Sequence, residues 1–363
     1  MVCLASVLLL GVGAANAATQ PKLPPLPARW PRTLQIGLSE GPGDIWKPLG
    51  FRYQYLAGGV NTGKGWATWN PNGSFVTRYD RETWAAGEIP VYSYYQLLQS
   101  SPGASGGEAQ ADLANLQNPA TMTAYWNDVR LLFRRVHSTK TVVVHVEPDL
   151  WGYLEQAGDT QLASQFAQTW IRLRDHLAPN VVLAYHMSGW GTKHDIVYEK
   201  PPDATVRAYA AQSAAFYRSL HAKFDIAFED FSDRDAGYYA TVEHNPNTWF
   251  KPADFHRHLL YAQTFVRLAG IRMVAWQIPL GNTVSPVENN TPGHYQDNHV
   301  QWLLGASSRT RLRAYVNAGF AGFLFGAGAP ENTTADTDGG YFKQRVRAYY
   351  RARPLPLPES AAR

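Results

Sequence analysis

Two stretches of the chain collect carboxylates where an apolar run ends. The first reads Val144-His145-Val146-Glu147-Pro148-Asp149. The second reads Ile226-Ala227-Phe228-Glu229-Asp230 and continues to Asp233, Arg234 and Asp235. Hydrolysis of a glycosidic bond needs two such groups: one carboxylic acid protonates the leaving oxygen, and a second carboxylate activates water or attacks the sugar directly. Burial and mutual repulsion raise one pKa and leave the other low, which separates the roles. Glu147, Glu229, Asp230 and Asp149 are therefore the catalytic candidates. The plainer alternative is that these acids cap the helices that follow or pair with Arg234, and Asp233 and Asp235 suit such caps. Pro148 stops its run and fixes the turn after Glu147.

Side chains that suit a sugar lie near both stretches. Trp151 follows the first, Tyr238 and Tyr239 follow the second, Trp190 follows His186, and Tyr95 ends another apolar run. The chain carries 12 Trp, 20 Tyr and 15 Phe, enough flat apolar faces for sugar rings as well as for a large core. The segments Trp276–Asn282, His294–His299 and Phe325–Gly340 add amides, histidines and acids that match hydroxyl groups. His186 and Gln277 are expected to hold the sugar, Trp151, Trp190 and Tyr95 to stack on it, and Asn282 and Asp233 to reach it from the rim.

Apolar runs occur at Leu34–Ser39, Phe51–Leu56, Ile89–Gln96, Thr141–Glu147, Val181–Ser188, Phe224–Asp230, Met273–Ile278 and Phe320–Gly326. Stretches with helical spacing separate most of them, clearest at Met122–Val136, Leu162–Leu177, Ala204–His221, Ala253–Leu268, Arg309–Ala318 and Phe342–Arg351. A strand followed by a helix, repeated eight times over the chain, predicts an α/β fold of the (β/α)8 barrel type in a single domain. A doubly wound sheet would place a phosphate loop after its first strand. Here that position reads Glu40-Gly41-Pro42-Gly43-Asp44, and a proline suits such a loop badly.

Alternate side chains of a barrel strand face the axis and the surrounding helices. Taking the polar set as axis-facing, Thr141, Val143, His145 and Glu147 point inward from the fourth strand, and Ala184, His186 and Ser188 from the fifth. Asp225, Ala227 and Glu229 do so from the sixth, and Met273, Ala275 and Gln277 from the seventh. Arg52 and Gln54 form the polar set of the second, with Arg52 and Asp225 as an ion pair near the barrel floor. Strands four and six stand two interstrand steps apart, roughly 9–10 Å. That spacing favours inversion, which needs room for a water. A one-residue bulge at the sixth strand's end would exchange Glu229 for Asp230.

The whole-chain numbers exclude other classes. The chain has 363 residues, 33 Lys plus Arg against 29 Asp plus Glu, and no long basic run, so no nucleic-acid footprint appears. Residues 1–17 read as a signal peptide: an apolar run ending in Ala15-Asn16-Ala17. Export to the periplasm or the medium follows, with no membrane span afterwards. The one cysteine, Cys3, falls inside that segment, so the mature chain has no disulfide. Residues 18–32 and 353–363 are proline-rich and read as a tether and a tail around a catalytic barrel at 33–352. A monomer acting on carbohydrate is expected, and no cofactor or metal is implied.

At this point the chain resembles the (β/α)8-barrel glycoside hydrolases over about Leu34 to Tyr350. Glu147-Pro148-Asp149 looks like the strand end of glycoside hydrolase family six. Asp233-Arg234-Asp235 looks like the segment that carries that family's acid, although there it precedes the Glu-Pro-Asp segment and here it follows. The chain departs from the retaining clan with glutamates after strands four and seven, because its seventh run ends in Gln277-Ile278. The resemblance implies hydrolysis of O-glycosyl bonds in a polysaccharide or oligosaccharide.

Two other classes stay open. A carbohydrate-binding or polysaccharide-assembly protein could keep the barrel without its chemistry. A metal-dependent hydrolase could gather His145, Glu147, His186 and Glu229 as ligands, although neither a His-x-His pair on the first strand nor an H-E-x-x-H helix is present.

Overall fold

The computed structural model describes residues 23–103, 106–230, 236–245, 249–284, 289–291, 294–295, 297–326 and 332–359. Seven parallel strands come first: β1 (Gln35–Ser39), β2 (Phe51–Ala57), β3 (Ile89–Tyr95), β4 (Val142–Val146), β5 (Val181–Met187), β6 (Ile226–Asp230) and β7 (Met273–Ile278). A short antiparallel ribbon, β8 (Asn289–Thr291) with β9 (His294–Tyr295), precedes the last barrel strand, β10 (Phe320–Phe325). The barrel closes in the order β1-β10-β7-β6-β5-β4-β3-β2. All eight expected runs become its strands. All are short, and β3 to β7 and β10 are buried along nearly their whole length, as both faces of a barrel wall require.

The outer helices start on local signals. Asn118 caps helix Pro119–Val136 by accepting from the Ala120 and Thr121 N–H groups, with proline at the first position. Asp159 caps helix Thr160–Leu177 through the Leu162 N–H. Among the described residues no helix is long and apolar enough to cross a membrane. Residues 1–22, which include the expected signal peptide, lie outside the described residues.

Ring contacts between strands that are not neighbours identify the barrel interior. The His145 ring on β4 lies 4.6 Å from Phe228 on β6 and 4.8 Å from Trp276 on β7. Tyr55 on β2 lies 6.0 Å from Trp276. The inward sets of β4 and β5 therefore include His145 and His186, as expected. On β6 and β7 the expected parity is reversed: Phe228 and Trp276 fill the axis. The helix layer takes the charges instead. Asp225 pairs with Arg174 on helix Thr160–Leu177. Arg52 lies 3.6 Å from Glu40 and over the Tyr79 ring of helix Ser74–Ala86. The expected pair between Arg52 and Asp225 does not form. Rings supply the apolar volume needed along the axis, whereas the wall's outer side offers partners that make buried charge tolerable.

The described parts of the proline-rich ends, residues 23–32 and 353–359, pack against the barrel. Trp30 is buried, donates from Nε1 to the Ala321 carbonyl at 3.1 Å, and packs 5.0 Å from Phe51. Leu34 N–H donates to the Leu355 carbonyl and Leu357 N–H to the Arg32 carbonyl, each at 2.8 Å. The two segments pair across the barrel floor and leave the opposite mouth for the site.

Candidate active site

A cleft of about 1060 Å³ opens at the C-terminal ends of the strands. Asp149, Glu229, Asp230, Tyr95, Trp190 and Gln277, all expected in the site, line it. The cleft-lining Asp149 follows β4, and Asp230 ends β6. With β5 between them, their strands stand roughly 9–10 Å apart. Asp149 accepts from the Tyr95 hydroxyl at 3.1 Å. Asp230 accepts from the Gly189 N–H at 3.4 Å, and its Oδ1 lies 3.7 Å from Nε2 of His186.

Backbone geometry at the strand ends decides which side chains enter. Glu147, Asp149 and Gln277 have φ values of 40°, 73° and 54°. Non-glycine residues adopt this region at a cost of about 1–3 kcal/mol, and such positions gather at functional sites. Glu147 continues the inward parity of His145, but its positive φ ends the alternation. The carboxylate turns into the wall and accepts from the Gln96 N–H at 3.1 Å and the Leu97 N–H at 3.3 Å. It is fully buried beside Tyr125 and Asp128 of the outer helix and does not line the cleft. This corrects the expectation that it faces the substrate. Burial raises its pKa to about 8 against the pull of the two N–H donors. At Gln277 the same device works in reverse. Trp276 takes the inward position, and the turn brings the Gln277 amide back into the cleft, where it donates to the Tyr55 hydroxyl at 2.8 Å.

Glu229 faces the helix layer and lies 2.9 Å from Nε2 of His258 on helix Pro252–Ala269, at the cleft's edge. Trp151 is also corrected. Its ring is fully buried, packs 5.2 Å from Tyr185 and 5.5 Å from Phe166, and donates to the Val146 carbonyl. It is core. Asn282 is buried too and holds a loop rather than the cleft: its amide donates to Asp297 at 2.6 Å, and its backbone pairs with Tyr295. His186 lies beneath the cleft floor, fully buried. Asp233 lies outside the described residues.

Trp190 holds its place because of a glycine. A Cβ on Gly152 would come within 2.6 Å of the Trp190 ring. Glycine inside helix Leu150–Ala157 costs about 0.5–1 kcal/mol against alanine. Here it lets the benzo edge of the indole approach that helix, with the ring tilted 48° against Tyr153 at 4.9 Å.

The Asp149 wall is crowded with acids. Tyr153 donates to Glu108 at 2.8 Å. Asp112 is fully buried, and among the described residues neither carboxyl oxygen has a hydrogen-bond partner. Burial, then the nearby Glu147, Asp149 and Glu108 charges, push its pKa well above the usual range. On the other side burial disfavours the charged form of the interior histidines: it lowers His186 to about 3 and, with the neighbouring His186, holds His145 well below its ordinary value. Among the described residues no group of three or more His, Cys, Asp or Glu side chains is placed to hold a metal ion.

Sequence reasoning missed Tyr55, Trp276, Tyr153, Glu108 and His258, all lining the cleft. The first two were hidden by the reversed parity. The others sit on helices whose cleft-facing side cannot be read before the barrel is assembled.

The fold has solved counterparts among glycoside hydrolases. GH26C from a Muricauda species matches over 87% of this chain and 86% of that one, at 11% identity and a TM-score of 0.51. The likeness is one of fold. A class V chitinase from Nicotiana tobaccum matches over 87% of this chain and 99% of its own, at 9% identity and a TM-score of 0.47. A glycoside hydrolase family 6 enzyme from Coprinopsis cinerea covers 85% and 82%, at 13% identity and a TM-score of 0.44. No protein-family model and no curated protein matches the chain.

Proposed function

We propose that the chain is an exported glycoside hydrolase that cleaves O-glycosyl bonds of a polysaccharide or oligosaccharide, with Asp149 as general acid and Asp230 as general base. The observation that carries this reading is the presence of both carboxylates in one aromatic-walled cleft, on strand ends separated by a single strand. The Asp149 side is packed with carboxyls, and neighbouring groups of one charge retain protons because their anions repel. On the Asp230 side the neighbouring Glu229 is held by His258, while the Gly189 N–H and the His186 ring face Asp230 and suit an anion.

The reaction then runs in one displacement. Asp149 gives its proton to the glycosidic oxygen as the bond to the anomeric carbon breaks. Asp230 takes a proton from the water that attacks the opposite face, so the anomeric configuration inverts. Solvent returns the two carboxyls to their starting states. Trp190 and Tyr95 supply stacking faces, and Gln277 orients a hydroxyl. Glu147 supports the turn that carries Asp149, and Glu229 is anchored by His258 beside the base. The leader at residues 1–17 directs export, and the working unit is a monomer.

Reducing-end release from a panel of neutral, acidic and amino-sugar polymers tests the reading, with the product anomer followed by NMR. Hydrolysis with inversion supports it. Tight binding without release on any polymer would favour a carbohydrate-binding barrel.

A further inference from the structure

Four consecutive strands each contribute one polar side chain to a diagonal through the barrel interior. Ser93 on β3 and His145 on β4 are register partners. His186 on β5 lies two residues beyond Ala184, the register partner of His145. Asp230 on β6 lies two residues beyond Phe228, the register partner of His186. The side chains thus climb toward the mouth as the series crosses the wall. Ser93 Oγ lies 3.3 Å from Nδ1 of His145, Nε2 of His145 lies 2.9 Å from Nδ1 of His186, and Nε2 of His186 lies 3.7 Å from Oδ1 of Asp230.

We propose that Ser93, His145 and His186 form a neutral hydrogen-bonded chain that presents the His186 Nε2–H to Asp230 and thereby fixes that carboxylate as the proton acceptor. The two histidines are positioning residues. This rests on the reading of Asp230 as the base.

Each contact in the chain has room for one proton, so only two arrangements exist. In one, every group donates toward Asp230. In the other, every group donates toward Ser93 and His186 Nε2 accepts from a protonated Asp230. A carboxylate that also receives the Gly189 N–H selects the first. The rings around the pair exclude water: Phe228 lies 4.6 Å from His145, and Trp276 lies 4.8 Å from His145 and 5.6 Å from His186. Apolar enclosure disfavours imidazolium, and the lowered pKa values agree. The chain therefore supplies an oriented N–H dipole without a net charge. The last contact is long, as catalytic contacts are before substrate closes the site.

Other titratable groups face this point. Glu229 and His258, bonded to each other, and Tyr261 come from the outer helix side. Asp195, in the loop after β5, lines the same cleft. His145 to His186 is the link through the interior.

Histidine 15N NMR on the full protein tests the chain itself. Both rings are expected as the neutral Nε2–H tautomer from pH 5 to 8. An imidazolium at either position in that range, or an Nδ1–H tautomer at His186, overturns the proposal. This arm decides even if no glycan is hydrolysed, so its failure is distinct from failure of the glycosidase reading. In active enzyme, His145→Leu should lower kcat about tenfold, leave KM in place and move the acidic limb of the kcat profile to higher pH, while His145→Gln, which still donates, restores both. Equal losses in the two variants with an unmoved limb would assign His145 to packing alone and overturn the proposal.

Discussion

The Tyr95 hydroxyl, at the end of β3, stands 3.1 Å from Oδ2 of Asp149 in the turn after β4. Burial, then the charges of Asp149, Asp112 and Glu108, push the phenol far above its usual range, so it stays a donor throughout the working pH range. Tyr95→Phe should keep the ring and its stacking face while removing the bond that aims Asp149. We expect kcat to fall about tenfold with KM nearly unchanged, since a hydrogen bond of this kind contributes on the order of 1–2 kcal/mol. Steady-state kinetics on the best substrate of the panel checks this. A rise in KM alone would make Tyr95 a binding group only.

The two tryptophans of the expected subsites should separate cleanly. Trp190→Ala is expected to weaken oligosaccharide binding by about 1–3 kcal/mol with an unchanged melting temperature. Trp151→Ala should destabilise the fold by about 3–5 kcal/mol, the usual cost of emptying a buried aromatic site. Calorimetric titration and thermal melts of both variants check the pair. Equal effects on binding would return Trp151 to the cleft.

Glu147 gives a pH-dependent prediction. Its folded pKa, raised by burial to about 8, lies above the ordinary value of 4.5. The folded protein then holds a proton that the unfolded chain has lost. This contribution is complete below pH 4.5 and disappears as pH rises through about 8. Glu147→Gln, which keeps an acceptor for the Gln96 and Leu97 N–H groups, should remove that dependence. Its melting temperature relative to wild type should therefore climb between pH 5 and 8. Its kcat/KM should stay within about an order of magnitude of wild type, because the group does not touch substrate. A loss of about 10²–10⁴-fold would return Glu147 to the reacting pair.

The architecture was legible because strand runs and helical spacing alternate so regularly, and all eight runs became barrel strands. Which side of a strand faces the axis was legible for β4 and β5 but not for β6 and β7. The rule that polar residues face the cleft failed where Phe228 and Trp276 fill the interior and where Asp225 and Glu229 find partners in the helix layer. Glu147 and Gln277 depart from alternation through positive φ, a backbone choice that no side-chain pattern announces. Asp149 was legible as an acid beside a strand end. Its partner Tyr95 was legible as a ring, but the hydrogen bond between them needs the register of β3 and β4.

Turnover of Asp149→Asn and Asp230→Asn, measured beside wild type on a hydrolysed glycan, tests the central claim most directly. Each change keeps the size of the side chain and removes its proton chemistry. The account predicts a folded protein that still binds oligosaccharide and loses about 10²–10⁴-fold in kcat in each variant. Near wild-type turnover in either one, with the fold intact, would contradict it.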